Sequence, residues 1–163
     1  MSLEIGVDDP RADDVGDLLA THLAFSRSVT PPEYSFALEA EELVGPGVTF
    51  FGARRRGVLV GVTALKRIDH LEAELKSMHI RETERGKGVG RALLEHVLAF
   101  ARTEGYRRVS LETGATEEFE AARALYAKSG FRPCGPFGDY RASPYNTFMT
   151  LTLDCAPRDG RRG

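Results

Sequence analysis

The stretch from Ala73 to Glu104, AELKSMHIRETERGKGVGRALLEHVLAFARTE, constrains the fold more than any other. An extended segment passes through a short polar turn and the glycines Gly86, Gly88 and Gly90 into a helix. In that helix Val89, Leu93 and Val97 recur at i, i+4 and i+8, with Leu94, Leu98 and Ala101 beside them. One broad apolar stripe must therefore face a core, and the helix must begin at the glycines. The first N–H groups of a helix lack internal partners, and the aligned peptide dipoles concentrate partial positive charge there. Glycines let an anion approach that backbone closely, because no Cβ intervenes and positive φ costs little. Arg85, Lys87 and Arg91 add mobile positive charge around the same turn, which suits a diphosphate better than a single carboxylate. A Gly-rich connection with solvated basic residues is the other reading of this spacing.

Two phosphate motifs fit poorly. A Walker loop needs Gly-Lys-Ser/Thr, and Lys87 is followed by Gly88. A dinucleotide fingerprint starting at Gly86 would need its third glycine where Arg91 stands. Glu112 alone keeps a dinucleotide-binding domain in view, because it lies about twenty residues past the glycines, where a ribose-binding acid would sit. What is present is R-x-x-G-x-G, from Arg85 through Gly88 to Gly90. This resembles the acyl-CoA pyrophosphate motif of the Gcn5-related N-acetyltransferases, the GNAT superfamily. ARALYAKSGF, from Ala122 to Phe131, resembles the family's later helix, and RRVSLETG from Arg107 resembles the strand where its sheet splays to admit the cofactor. TPPE at Thr30, LETG at Leu111 and GPFGDY at Gly135 resemble a bacterial branch of unassigned acceptor specificity. The resemblance spans nearly the whole chain and is strongest from Ala73 to Phe131.

The resemblance implies a single α/β domain, with a mixed, mostly antiparallel sheet of about six or seven strands flanked by about four helices. It implies an acetyl-CoA-dependent N-acetyltransferase, with acetyl-CoA as co-substrate and a primary amine as acceptor, attacking directly in a ternary complex. Cofactor contacts would come from Met78, His79, Ile80, Arg85, Gly86, Lys87, Gly88, Val89, Gly90 and Arg91. A backbone N–H between Met78 and Ile80 would hold the oxyanion that builds on the thioester. Glu74, fourteen residues before Gly88, matches the catalytic glutamate of the histone-acetyltransferase-like branch. On its own terms a strand glutamate serves solubility; on a cofactor-facing central strand it can take the proton from an ammonium, directly or through water. Tyr126 matches the tyrosine that protonates the departing thiolate, although a tyrosine one turn from a helix end is otherwise a packing residue with a wet hydroxyl. The family often has an asparagine seven residues before that tyrosine; this chain has Phe119. The acceptor region would run from about Arg27 to Phe36 and include the loop Phe137 to Tyr145, where Asp139, Tyr140 and Arg141 either read an acceptor's charge or cap a turn. A non-catalytic acyl-CoA-binding or sensing module is the alternative.

Composition fits these readings. The chain has 163 residues, 42% of them hydrophobic, enough for one well-buried domain, expected over residues 1–154 with a frayed tail at 155–163. A formal charge of −2 with interspersed signs offers no nucleic-acid surface or membrane patch, so a small-molecule or peptide amine is the expected partner. There is no apolar run of about 18 residues and no leader at Met1, so a cytoplasmic protein is expected. Cys134 and Cys155 lack metal spacing, and no metal is assigned. A homodimer is compatible with all of this.

The remaining elements follow in order. Leu3, Ile5 and Val7 alternate as a strand, and Asp9-Pro10 reads as a helix N-cap followed by proline. Val15, Leu18, Leu19, His22 and Leu23 form one inward stripe ending near Ser26, with His22 read as a core-edge histidine. Phe36, Ala40 and Leu43 suggest a second helix closed by Gly45-Pro46-Gly47. Val48 to Ala53 and Val58 to Leu65 read as a hairpin. Along Ala73 to Ile80, strict alternation puts Glu74, Lys76, Met78 and Ile80 on one face and Ala73, Leu75, Ser77 and His79 on the other. Gly105 and Gly130 read as left-handed C′ residues backed by Tyr106 and Phe131, and Thr116 as an N-cap. Strand, glycine turn, helix and strand make a crossover, so part of the sheet is parallel.

Overall fold

The structure is a computed structural model that describes residues 3–30, 43–138 and 140–153. Seven strands form one sheet in the order β1-β2-β3-β4-β5-β7-β6. They are β1 (Leu3–Val7), β2 (Val48–Arg55), β3 (Val58–Arg67), β4 (Glu72–Ile80), β5 (Arg108–Gly114), β6 (Arg132–Cys134) and β7 (Asn146–Thr152). Only β4 and β5 run parallel, joined by the crossover helix α2 (Val89–Thr103); every other pair is antiparallel. Among the described residues there are two further helices, α1 (Asp13–Val29) and α3 (Glu120–Lys128). The helix expected around Phe36 to Leu43 lies outside the described residues except for Leu43, which is buried.

Each sheet face has its own core. Val89, Leu93, Leu94, Val97, Leu98 and Ala101 of α2 pack on Phe51, Val60, Leu65, Leu75, Val109 and Leu111, as the stripe in the sequence requires. On the opposite face Val15, Leu18 and Leu19 of α1 pack on Phe50, Leu59, Val62 and Ala64. Strand β3 is thus covered on both sides, which is why its sequence is a continuous apolar run. Burial of this kind contributes roughly 1.5–3 kcal/mol per large aliphatic side chain.

The helix ends obey the chain's glycines. Gly105 has φ 91° and Gly130 φ 105°. Tyr106 N–H donates to Ala101 O and Phe131 N–H to Tyr126 O, both at 3.0 Å, closing the left-handed caps that the sequence predicts. The start of α1 differs from the sequence expectation. Asp9 does not cap the helix; its carboxylate accepts from Arg11 N–H at 2.9 Å in a local turn, and α1 begins only at Asp13 behind Ala12. A short aspartate side chain can satisfy its own turn before a helix competes for it. Helix α3 likewise begins at Glu120, after a single 3-10 turn over Glu117–Phe119 that follows Thr116.

The alternation expected along β4 also breaks. Ala64 faces Lys76 and Val62 faces His79, so Ser77 and Met78 together oppose Thr63. Ser77 takes φ 58°, a left-handed conformation rare for a non-glycine residue. This bulge flips the parity of the strand. Glu74 and Lys76 remain on the open face with the His79 ring, which meets His22 of α1, while Met78 and Ile80 join Ala73 and Leu75 against the α2 core. Simple period-two counting cannot see an inserted residue.

Candidate active site

Two features converge beside the bulge. The first is the start of α2. Gly86 and Gly88 have φ 79° and 84°, and a Cβ at either would meet nothing within 4 Å, so the backbone there is open to a ligand. Gly88 is the N-cap, and the first turn of α2 holds no acid. Lys87 and Arg91 are exposed around it. Arg91 also pairs with Glu95 one turn on, at 3.1 Å. Arg85 donates from Nε to Ile80 O at 3.1 Å, tying the end of β4 to the glycine turn. Gly90 is needed for another reason: a Cβ there would stand 3.1 Å from Leu125 Cδ2, so the glycine lets α3 lie close to α2.

The second is a fork in the sheet. Strands β4 and β5 pair only from Glu72–Leu75 to Arg108–Leu111, although β4 runs on to Ile80 and β5 to Gly114. Beyond Leu75 and Leu111 the two strands part, while β5 stays paired to β7 along its length. The opening is a cavity of about 90 Å³ lined by Glu74, Lys76, Met78, Glu112 and Tyr126, with His22 at its α1 side. Tyr126 is 5% exposed and its ring stacks obliquely on Phe131 at 5.8 Å, the packing anticipated from the Gly-Phe cap. Arg123 Nη1 donates to Gly114 O at 2.7 Å and Thr116 O at 2.8 Å, which binds α3 to the end of β5 and so sets the distance from Tyr126 to the fork.

The sequence candidates fall into three groups. Glu74, Met78 and Tyr126 line the cavity. Gly86 to Arg91 form the helix start. His79 is displaced: its ring lies under α1 with Nδ1 3.2 Å from His22 Nδ1, so only its backbone remains for a cofactor. Asp139 lies outside the described residues, whereas Tyr140 reaches the site. Its hydroxyl donates to Glu74 Oε2 and accepts from Lys76 Nζ at 2.7 Å, and Lys76 Nζ also donates to Glu74 Oε2 at 3.1 Å. Burial, with Glu74 and Glu112 nearby, raises the Tyr140 hydroxyl far above its ordinary range, so it stays a proton donor. Glu112, which a dinucleotide-binding domain would set on a ribose, instead lines the cavity. Burial pushes its carboxyl up to about 7, against the opposing pull of Asn146 and Lys76 and with a further push from Glu74. The clue available in the sequence was the LETG stretch itself, an acid in the strand that resembles the family's splaying strand.

The Acetyltransferase (GNAT) family model matches residues 16–131, which includes the glycine turn, the fork and α3. The chain belongs to the GNAT acetyltransferases. The chain is 40% identical over 151 residues to the uncharacterized N-acetyltransferase YsnE of Bacillus subtilis, covering 93% of this chain and 100% of that one. It is 36% identical to the IAA acetyltransferase of Azospirillum brasilense, covering 93% and 99%. The N-acetyltransferase PaiA of Thermoplasma acidophilum, solved in complex with coenzyme A, shares the fold with a TM-score of 0.74 at 18% identity, over 94% of this chain and 100% of that one. This GNAT protein is an acetyl-CoA-dependent N-acetyltransferase. Among the described residues no three of His, Cys, Asp and Glu gather as a metal site, and no helix is long and apolar enough to cross a membrane.

The histidine pair gives the enzyme a measurable acid limit. Burial, reinforced by Arg85, holds His22 down to about 4, and burial together with His22 and the arginines Arg85 and Arg81 holds His79 still lower. Both rings are neutral when folded, one Nδ1 donating and the other accepting. An unfolded histidine binds a proton near pH 6.5, so below that the unfolded state carries the extra protons and stability falls as pH drops from about 6.5 toward 4. Thermal melting between pH 8 and pH 4 is expected to show this decline, and His22→Asn to flatten it; an unchanged slope would remove the pair as its cause.

Proposed function

We propose that this GNAT protein acetylates a primary amine by direct attack on acetyl-CoA in a ternary complex. The fork between β4 and β5 carries this reading: a buried opening lined by Glu74 of β4, Glu112 of β5 and Tyr126 of α3, beside a bare helix start. The pyrophosphate of acetyl-CoA would lie on the Gly86–Arg91 turn, with Lys87 and Arg91 as counter-charges. Its thioester would enter the fork, where a backbone N–H of the Met78–Ile80 segment is the donor suited to the developing oxyanion. The bulge at Ser77 supports that role, because an inserted residue leaves ladder groups unpaired.

Tyr126 serves the sulfur side. Burial, with the Glu112 charge, pushes its hydroxyl well above the ordinary tyrosine range, so outright transfer of its proton to a thiolate is uphill. A relay removes the difficulty. As the tetrahedral adduct collapses, the cationic amine nitrogen gives a proton to the Tyr126 oxygen while Tyr126 gives its own to the departing sulfur. No free tyrosinate forms, and the products are the amide and CoA thiol. Holding both reactants in one cleft supplies much of the remaining advantage.

The acceptor is a small-molecule or peptide amine in this reading, and the enzyme works in the cytoplasm. Calorimetric titration with acetyl-CoA, CoA and NAD, followed by thiol release against a panel of amines, is the test. Acetyl-CoA binding with amine-dependent thiol release is expected, with NAD silent. Binding without release from any amine would favour an acyl-CoA-binding module instead.

A further inference from the structure

The site contains two carboxylates, and the fold treats them differently. Glu74 is spoken for. Its Oε2 accepts from Lys76 Nζ and from the Tyr140 hydroxyl, Lys76 bonds that same hydroxyl, and the carboxylate and ammonium side chains are each 9% exposed. Lys76 Nζ also lies over the Tyr140 ring, 5.4 Å from its centroid. The Tyr140 ring in turn packs on Phe137 and Phe148 at 5.2 Å and 5.6 Å. Glu74 therefore anchors the loop between β6 and β7 to the middle of the sheet. Breaking such a buried triad to accept a proton would leave an ammonium and a phenol without their partner.

Glu112 occupies the other position. It is the first residue of β5 past the last pairing with β4, so it stands at the mouth of the fork, in the cavity that Tyr126 and Met78 also line. On β5 it shares the open face with Ser110, which bonds Glu72, while Val109 and Leu111 point into the α2 core. With a thioester in the fork, as the acetyl-transfer reading has it, an amine entering from the open face would pass the mouth where Glu112 stands.

We propose that Glu112 takes the proton from the acceptor's ammonium, and that Glu74 is a positioning residue that holds Tyr140 and its loop over the acceptor. This rests on the acetyl-transfer reading above. The ammonium N–H bond breaks to the Glu112 carboxylate, the freed lone pair forms the C–N bond, and the C–S bond breaks through the Tyr126 relay. Glu112 then loses its proton to water, so one proton is released per amide formed. The groups facing Glu112 are Glu74 and Lys76 from β4, Asn146 from β7, Tyr126 from α3, Tyr140 from the loop and His22 from α1. With Glu74 matched to Lys76, the charge left over in this group is that of Glu112, which an ammonium would neutralise. A carboxyl raised to about 7 by burial is also well matched to proton uptake at neutral pH.

The test is a pH profile of kcat and kcat/KM for wild type, Glu112→Gln and Glu74→Gln, with Tyr140→Phe beside them. Wild type is expected to show a rising limb in kcat/KM with a midpoint near pH 7. In Glu112→Gln that limb disappears and kcat falls about 100-fold or more, with acetyl-CoA affinity kept. Because an ionised carboxylate is costly in this setting, Glu112→Gln should melt no lower than wild type at pH 8, which separates lost chemistry from lost folding. Glu74→Gln and Tyr140→Phe should keep the limb and raise the acceptor KM together. A limb that survives in Glu112→Gln and vanishes in Glu74→Gln reverses the assignment. Wild type that binds acetyl-CoA yet releases no thiol with any amine defeats acetyl transfer itself, and Glu112's role with it.

Discussion

Gly88→Asp is expected to lower acetyl-CoA affinity at least about 100-fold, close to 2.7 kcal/mol, while leaving the melting temperature nearly unchanged. Gly88 caps α2 at φ 84°, with open space where a Cβ would stand and no acid in the turn that follows. A non-glycine residue pays about 1–2 kcal/mol for the left-handed conformation, but aspartate tolerates it better than most. Its carboxylate would also accept from the unpaired N–H groups of the first turn, recovering about 1 kcal/mol as a helix cap. These two effects nearly cancel in stability. In binding they add, because the new carboxylate takes the donors that the pyrophosphate needs and repels it as well. Gly88→Asn separates charge from shape: it keeps the size and the φ tolerance and should lose far less affinity. Equal losses in the two variants would assign the effect to bulk. An undiminished affinity in Gly88→Asp would place the pyrophosphate elsewhere on the molecule.

The elements most legible in the sequence were those whose signal is local. The α2 stripe, the left-handed caps at Gly105 and Gly130 and the apolar run of β3 each follow from a few neighbouring residues, and each stands in the structure where periodicity placed it. The bulge at Ser77 was not legible, because a serine at φ 58° is imposed by its neighbours across β3 and leaves no mark in the composition. That single insertion moved the His79 ring from the face of Ala73 and Leu75, where alternation puts it, to the α1 side, and brought Met78 to the α2 side. The two acids show the same divide. Glu74 was singled out by resemblance, through its position fourteen residues before Gly88, but its partners Lys76 and Tyr140 lie 2 and 66 residues away, and no window of sequence joins all three. Glu112 was visible as an acid in a strand, yet its meaning depended on where β4 and β5 stop pairing, which is a property of the assembled sheet.

Gly114→Ala should be the most damaging small substitution near the site, costing about 1–3 kcal/mol of stability. A Cβ built on Gly114 would lie 1.9 Å from Phe119 Cδ2, 2.3 Å from Cε2 and 2.4 Å from Cγ, so the whole ring must leave. Its departure also ends the edge contact with Phe25 of α1, now at 5.3 Å between centroids. Both Gly114 and Phe119 line the cavity, so a displaced ring alters the fork as well as the fold. Phe119 stands where the family often has an asparagine, and here it bridges the end of β5 to α1. In a Phe119→Ala background the three closest contacts of the added methyl are gone, and Gly114→Ala should then cost well under about 1 kcal/mol. The resulting coupling of at least about 1 kcal/mol is measurable by a double-mutant cycle in denaturant. Additive losses would mean that the ring is not what Gly114 makes room for. A cycle that closes as expected makes the Phe119 ring the group that Gly114 accommodates, and because both residues line the cavity, Phe119→Ala is also the variant in which to look for transfer of acyl groups larger than acetyl.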